Sequence, residues 1–211
     1  MDTRRARVVL HPAADDDRLM GATMGRGRLE AFSDGVLAII ITVMVLELKV
    51  PHGDGLAALY PRWPGFLGYV LSFVYVGIYW NNHHHLMQTV KHVTGGIMWS
   101  NLHLLFWLSL FPVVGGWVGE NPRASWPAAL YGVVLLAAAF AWLILQRSII
   151  RTGGPLATAI GRDLKGKVSP VLYAAGIALA FVRPWLADAI YALVALMWIV
   201  PDARIVRSVT E

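Results

Sequence analysis

The sequence contains no cysteine. That excludes a disulfide, a thiol nucleophile and a thiolate metal site, and it leaves the compartment open. Charge is scarce too: Asp, Glu, Lys and Arg make up 15% of the 211 residues, against about 25% in an ordinary soluble domain. There is no GxSxG, no P-loop and no GxGxxG, so the common signatures of serine hydrolases and of nucleotide-binding folds are missing. HxxxH and HExxH are absent as well; either would place two zinc ligands on one helical face. The first 27 residues carry Arg4, Arg5 and Arg7 but no apolar core of useful length, so they do not read as a signal peptide. No internal repeat is clear enough to use.

What is abundant is apolar sequence: 57% of residues are hydrophobic and the mean hydropathy is +0.56. A helix needs about 20 mostly apolar residues to cross the hydrocarbon of a bilayer. Six stretches qualify or come close: 29–48, 63–87, 95–118, 126–149, 168–182 and 185–200. The last two are short, and Arg183-Pro184 between them favours a helical hairpin over one long helix. The fold class expected is therefore an all-α integral membrane protein of six transmembrane helices. Residues 1–27 read as a mobile cytosolic tail, 28–206 as one membrane domain, and 207–211 as a short cytosolic end.

Lys and Arg orient such chains. With the N-terminus inside, fourteen of the eighteen fall on the inner side, leaving Lys49, Arg62, Arg123 and Arg183 outside. The positive-inside rule then puts both termini in the cytosol of a multi-pass plasma-membrane protein. Trp63, Trp80, Trp99, Trp117, Trp126, Trp185 and Trp198 lie mostly near span ends, as an aromatic belt does. The net charge of +5 follows from this orientation and does not call for a nucleic-acid partner; lipid is the expected surround.

The first span, RLEAFSDGVLAIIITVMVLEL from Arg28 to Leu48, is apolar after Gly35 but opens with Arg28, Glu30, Ser33 and Asp34. Ionisable groups at membrane depth cost roughly 2.5–3.5 kcal/mol each on insertion scales, so they have partners or a function. On a helix advancing about 100° per residue, Gly35, Ile39, Thr42 and Leu46 form one stripe with Val43 beside it. Asp34 points opposite Val43, and Glu47 lies on the Val43 side. If this helix lines a pore, the stripe presents a small residue, an aliphatic ring, a hydroxyl ring and a second aliphatic ring, a path that selects by narrow hydrophobic constriction. The alternative is ordinary packing or lipid contact. Asp34 with Arg28 is either an ion relay or, as its direction favours, a structural pair at the helix foot. The run Asn81-Asn82-His83-His84-His85 fans its imidazoles around the helix, which suits hydrogen bonding better than a shared metal.

Arg28-x-x-x-Phe32-Ser33-Asp34-Gly35 resembles the signature of the transmembrane protein 175 family of potassium channels. The likeness continues in Tyr79-Trp80-x-Asn82-His83-His84, in Asn101-Leu102-x-Leu104-Leu105 with Ser109 and Pro112, and in Trp198-Ile199-Val200-Pro201-Asp202-x-Arg204-Ile205, and so covers about residues 28–206. The resemblance implies a homotetramer with the first helix of each subunit lining a central pore that lacks the TVGYG filter. It implies that Ile39 is the hydrophobic bottleneck, Thr42 the hydroxyl layer, and Val43 and Leu46 further constrictions. It also implies that Arg28, Ser33 and Asp34 join a network tying the first helix to the second and third, with Asn101 and one of His83 or His84 as the other members. Val43 and Met44 stand where leucines are common, and His103 is additional. Glu47 either concentrates cations at the outer mouth or pairs with Lys49 or a neighbour. The function expected is a potassium-permeable channel, not an enzyme, with K+ as the permeating ion and no cofactor or bound metal. The alternatives are a proton leak or proton-coupled carrier using Asp34 and the histidines, and a membrane metal enzyme built on His83–His85, His92 and His103.

Overall fold

Helices account for nearly all of the chain that a computed structural model describes, residues 25–153 and 164–199. Of the expected N-terminal tail, Arg26 and Gly27 already belong to the first helix; residues 1–24, the middle of the 151–167 loop and everything from residue 200 on, including the end of the last resemblance segment and the expected C-terminal tail, lie outside the described residues. The helices are α1 (Arg26–Leu46), a 3-10 helix (Leu56–Arg62), α2 (Trp63–Gln88), α3 (Gly95–Leu108), α4 (Phe111–Glu120), α5 (Ser125–Ile150), α6 (Leu164–Ala180) and α7 (Pro184–Ile199). Among the described residues, three stretches are by length and composition apolar enough to cross a membrane: α1, the run Gly95–Glu120 that holds α3 and α4, and α5. α7 is a shorter apolar helix.

Local chemistry sets the ends. Pro64 sits in the first turn of α2 and Pro112 in the first turn of α4, positions where a missing N–H costs no intrahelical bond. Thr94 caps α3 by accepting from the Ile97 amide at 3.3 Å. Beyond α5 the chain turns at Gly153, whose φ of +72° suits glycine.

The stretch 95–118, expected as one span, carries a break between Leu108 and Phe111. Ser109 still donates its amide to the Leu105 carbonyl at 2.9 Å, but Leu110 reaches only to Trp107 at 3.3 Å, and the next helix restarts with Val114 donating to Leu110. Pro112 is the cause: it cannot bond the carbonyl four residues back, and its ring crowds that carbonyl. The break changes partners, since α3 packs mainly on α5 and α4 mainly on α2. α2 and α4 meet almost backbone to backbone; a Cβ on Gly119 would lie 2.6 Å from Gly65 Cα, and one on Gly115 2.6 Å from Ser72 Oγ.

The interior is aromatic and hydrogen-bonded. Tyr75 packs on Phe111 at 5.9 Å between ring centroids, Phe111 on Tyr131 at 5.8 Å, and Tyr131 on Tyr191 at 5.9 Å. The hydroxyls are used: Tyr75 donates to the Tyr191 carbonyl at 2.6 Å, Tyr191 to the Ala128 carbonyl at 3.2 Å, and Tyr131 shares a 3.1 Å bond with Ser72. In lipid the surroundings are as apolar as leucine, so close packing and interhelical hydrogen bonds hold helices together rather than escape from water.

Candidate functional site: the first helix and its foot

α1 has two faces. Leu29, Ser33, Leu37, Ile40 and Met44 are buried, spaced four, four, three and four residues apart, which is one side of a helix. They meet α2, α3 and α4. On the other side Phe32, Gly35, Ile39, Thr42 and Leu46 are exposed, Ile39 by 62% and Leu46 by 79%. Val43 flanks this stripe at 37%. A Cβ built on Gly35 meets nothing within 4 Å. The Thr42 hydroxyl donates to the Ile39 carbonyl at 2.8 Å. Its proton is thereby committed to its own helix, and its oxygen lone pairs are left to face outward.

Of the residues expected at the foot, three come together. Ser33 donates to the Leu29 carbonyl at 2.8 Å. Asn101 of α3 donates through Nδ2 to Ser33 Oγ at 2.9 Å, and its Oδ1 lies 2.7 Å from His83 Nε2 of α2. These bonds fix a direction: with the Ser33 proton on Leu29 and the Asn101 amide on Ser33, Oδ1 must accept, so His83 carries its proton on Nε2. All three side chains are buried, and His83 Nδ1 is the buried side-chain atom without a hydrogen-bond partner among the described residues.

The other foot residues divide differently. Asp34, half-buried, accepts from the Trp80 indole of α2 at 3.1 Å. His84 is not in the chain with Asn101; it pairs with Glu30 at 2.8 Å and contacts Gln88 at 2.9 Å. Asn82 is turned back on its own helix, donating to the Ile78 carbonyl at 2.8 Å. Arg28 is exposed and its guanidinium has no partner among the described residues; Arg26 instead reaches the Gln88 carbonyl at 3.1 Å. The choice between His83 and His84 goes to His83, and Asp34 and Ser33 anchor α1 through separate partners rather than through one network that includes Arg28. Sequence reading placed Trp80 in an aromatic belt and overlooked Glu30 and Gln88 as partners. The usable signal was the i+3 and i+4 spacing that puts Trp80, His83, His84 and Gln88 on adjoining faces of α2.

At the far end of α1, Lys49 pairs with Glu120 rather than with Glu47. The Glu47 carboxylate lies beside Gly116 of α4, its Oε2 3.8 Å from where a Cβ on that glycine would sit. His103 accepts from Trp107 at 2.9 Å on the exposed side of α3. Among the described residues no three His, Asp or Glu gather in a way that would hold a metal ion.

Comparison with known proteins follows the same outline. The sequence profile of the family described as "Endosomal/lysosomal potassium channel TMEM175" matches residues 28–112, which run from the foot of α1 to the break in the third span. A potassium channel of Chryseobacterium sp. (strain P1-3) is 56% identical over 191 residues, spanning 89% of this chain and all of that one. An endosomal/lysosomal proton channel TMEM175 of Danio rerio is 33% identical over 114 residues, 48% of this chain and 22% of its own. Among solved structures, a crystal structure of a lysosomal potassium-selective channel TMEM175 homolog from Chamaesiphon minutus superposes with a TM-score of 0.73 at 28% identity, covering 87% of this chain and 97% of that one.

Proposed function

The chain belongs to the TMEM175 family, and from that premise we propose that it is a potassium-permeable channel whose conduction path runs along the exposed face of α1 in a homotetramer of six-span subunits. The observation that carries the reading is that face. A membrane helix packed on one side against its own bundle leaves Ile39 and Leu46 uncovered on the other, with Thr42 between them. Four copies facing a common axis stack an aliphatic ring at Ile39, a hydroxyl ring at Thr42, and a second aliphatic zone at Leu46 flanked by Val43.

In this arrangement the aliphatic rings form the gate. A constriction of isoleucine side chains offers no hydrogen bond to water, so it empties when narrow and passes a partly dehydrated ion when slightly wider. Thr42 supplies oxygen at that point: its donor is spent on Ile39, and what faces the axis is acceptor only. An acceptor ring can replace part of a cation's hydration shell and gives an anion nothing. Gly35 leaves room at the inner end. The foot holds α1 at a fixed tilt through Ser33–Asn101–His83 and Asp34–Trp80. Arg28 and Phe32, exposed within the chain, are free to meet a neighbouring subunit. The reading places the protein in the plasma membrane with both termini cytosolic.

Flux measurement tests this directly. Purified protein reconstituted into liposomes with an outward potassium gradient should drive tracer uptake, and the reversal potential should follow potassium rather than protons. Ile39→Asn, which wets the constriction, should raise flux severalfold or reduce discrimination against sodium. An assembled protein that carries no potassium current, or an Ile39→Asn variant indistinguishable from the parent, would overturn the assignment. A reversal potential that tracks the proton gradient would move the chain to the proton-conducting reading.

A further inference from the structure

On the side of the bundle where α1 ends and α2 begins lies a cavity of about 780 Å³, bounded by the end of α1, the 3-10 helix, the start of α2 and α4. Its volume falls in the range of roughly 300–1,000 Å³ typical of ligand pockets. The walls are apolar and aromatic, with Met44, Phe66, Tyr69 and Phe111 among them, and α4 contributes nearly bare backbone at Gly115, Gly116 and Gly119. The cavity closes at its inner end on Ser72 and Phe111, both buried, with the Ser72 hydroxyl already bonded to Tyr131.

Two observations say what fits there. The first is depth. The 3-10 helix beside the mouth exposes Leu56 by 87% and Tyr60 by 86%, and Trp63 follows at 57%. Tyrosine and tryptophan rings of this kind sit at the headgroup level of a bilayer, with aliphatic neighbours dipping into the acyl boundary. The cavity mouth is therefore at headgroup depth and its apolar interior at acyl-chain depth. The second is charge. Four charged residues line the cavity: Glu47, Lys49, Arg62 and Glu120. Lys49 and Glu120 satisfy each other. That leaves one carboxylate, Glu47, and one guanidinium, Arg62, without side-chain partners among the described residues.

We infer that this cavity binds a phospholipid whose headgroup carries both a phosphate and a primary ammonium, a phosphatidylethanolamine-type lipid. The Arg62 fork donates paired N–H bonds to phosphate oxygens. The Glu47 carboxylate accepts from the ammonium. An acyl chain lies along the Phe66 and Tyr69 wall. A choline headgroup has no N–H to give Glu47, and a glycerol headgroup leaves that carboxylate without a counter-charge, so both fit less well. The inference concerns binding and does not depend on which ion the protein conducts.

The test uses the full-length protein in mixed micelles, titrated separately with dioleoyl-phosphatidylethanolamine, dioleoyl-phosphatidylcholine and dioleoyl-phosphatidylglycerol, with bound lipid counted by native mass spectrometry. The ethanolamine lipid is expected to bind about tenfold tighter than the other two, as one charge-assisted hydrogen bond gained or lost would dictate. Glu47→Gln should erase the preference for ethanolamine over choline while leaving both bound, and Arg62→Gln should weaken all three. Gly116→Leu serves as a filling variant: a Cβ there meets only Glu47, at 3.8 Å, so the side chain enters the cavity without backbone conflict. It should abolish lipid retention with the helical spectrum unchanged. Equal binding of the three lipids, or retention unaffected by Gly116→Leu, would overturn the inference. So would a Gly116→Leu protein that bound lipid normally but assembled differently, which would mean that a second copy of the chain occupies the cavity.

Discussion

Replacing Asn101 by alanine isolates the contact that ties α1 to both of its neighbours. The side chain is fully buried and makes two bonds, Nδ2 to Ser33 at 2.9 Å and Oδ1 to His83 at 2.7 Å. Their losses are unequal. Ser33 keeps its proton on the Leu29 carbonyl and forfeits only an incoming bond, about 0.5–1 kcal/mol. His83 loses the partner of its protonated Nε2 while Nδ1 already has none, so a buried donor is orphaned at a cost of about 1–3 kcal/mol. Interhelical hydrogen bonds in membranes average only about 0.6 kcal/mol and reach about 1.7, because the unfolded chain also finds partners in the bilayer. The expected total is therefore about 2 kcal/mol, or roughly a 30-fold shift in the unfolding equilibrium. Reversible unfolding in mixed micelles of increasing dodecyl sulfate, followed by the fluorescence of the nine tryptophans, measures it. Asn101→Leu separates causes: it keeps most of the volume but orphans the same His83 nitrogen, so it should cost nearly as much as alanine. A double-mutant cycle with Ser33→Ala should give a coupling of about 0.5–1.5 kcal/mol. Asn101→Ala within about 0.5 kcal/mol of the parent, or strictly additive behaviour with Ser33→Ala, would refute the hydrogen-bonded foot as a stabilising element.

Two further substitutions probe the glycines. A Cβ on Gly132 of α5 would press into the Tyr191 hydroxyl and lie 2.7 Å from Ile177 Cγ1, so Gly132→Ala should destabilise the α5–α6–α7 packing by about 1–3 kcal/mol in the same unfolding assay; a neutral effect would mean that Tyr191 has an alternative seat. Gly35→Ala is the converse case. Nothing within the chain opposes its Cβ, and alanine favours the helix by about 0.5–1 kcal/mol, so unfolding should be unchanged or slightly harder while potassium flux falls. A loss of subunit stability without a change in flux would place Gly35 away from the conduction path.

Much of the helical outline was legible beforehand. Continuous apolar runs, Pro64 and Pro184 gave α1, α2, α5 and α7 to within a few residues at most ends, because a bilayer demands long apolar segments and proline marks first turns. The 3.6-residue period grouped Gly35, Ile39, Thr42 and Leu46 on one stripe, and all four are exposed within the chain. Ser33 was legible as a foot residue, but only through a family signature rather than from any local rule.

The sequence by itself determined which residues lie on which side of each helix, since that is a property of one helix and its repeat. The tertiary structure alone decided what each side meets. Hydropathy cannot distinguish a lipid-facing leucine from a protein-facing one, because both surroundings are equally apolar. Consecutive histidines at 83 and 84 are chemically the same until α3 brings Asn101 to one and α1 brings Glu30 to the other. The break at Pro112 was not read from the apolar run, and only packing turned the helix beyond it from α5 toward α2. Glu47 and Arg62 come from either end of one short connection, and only the packing of α4 against them encloses a cavity there.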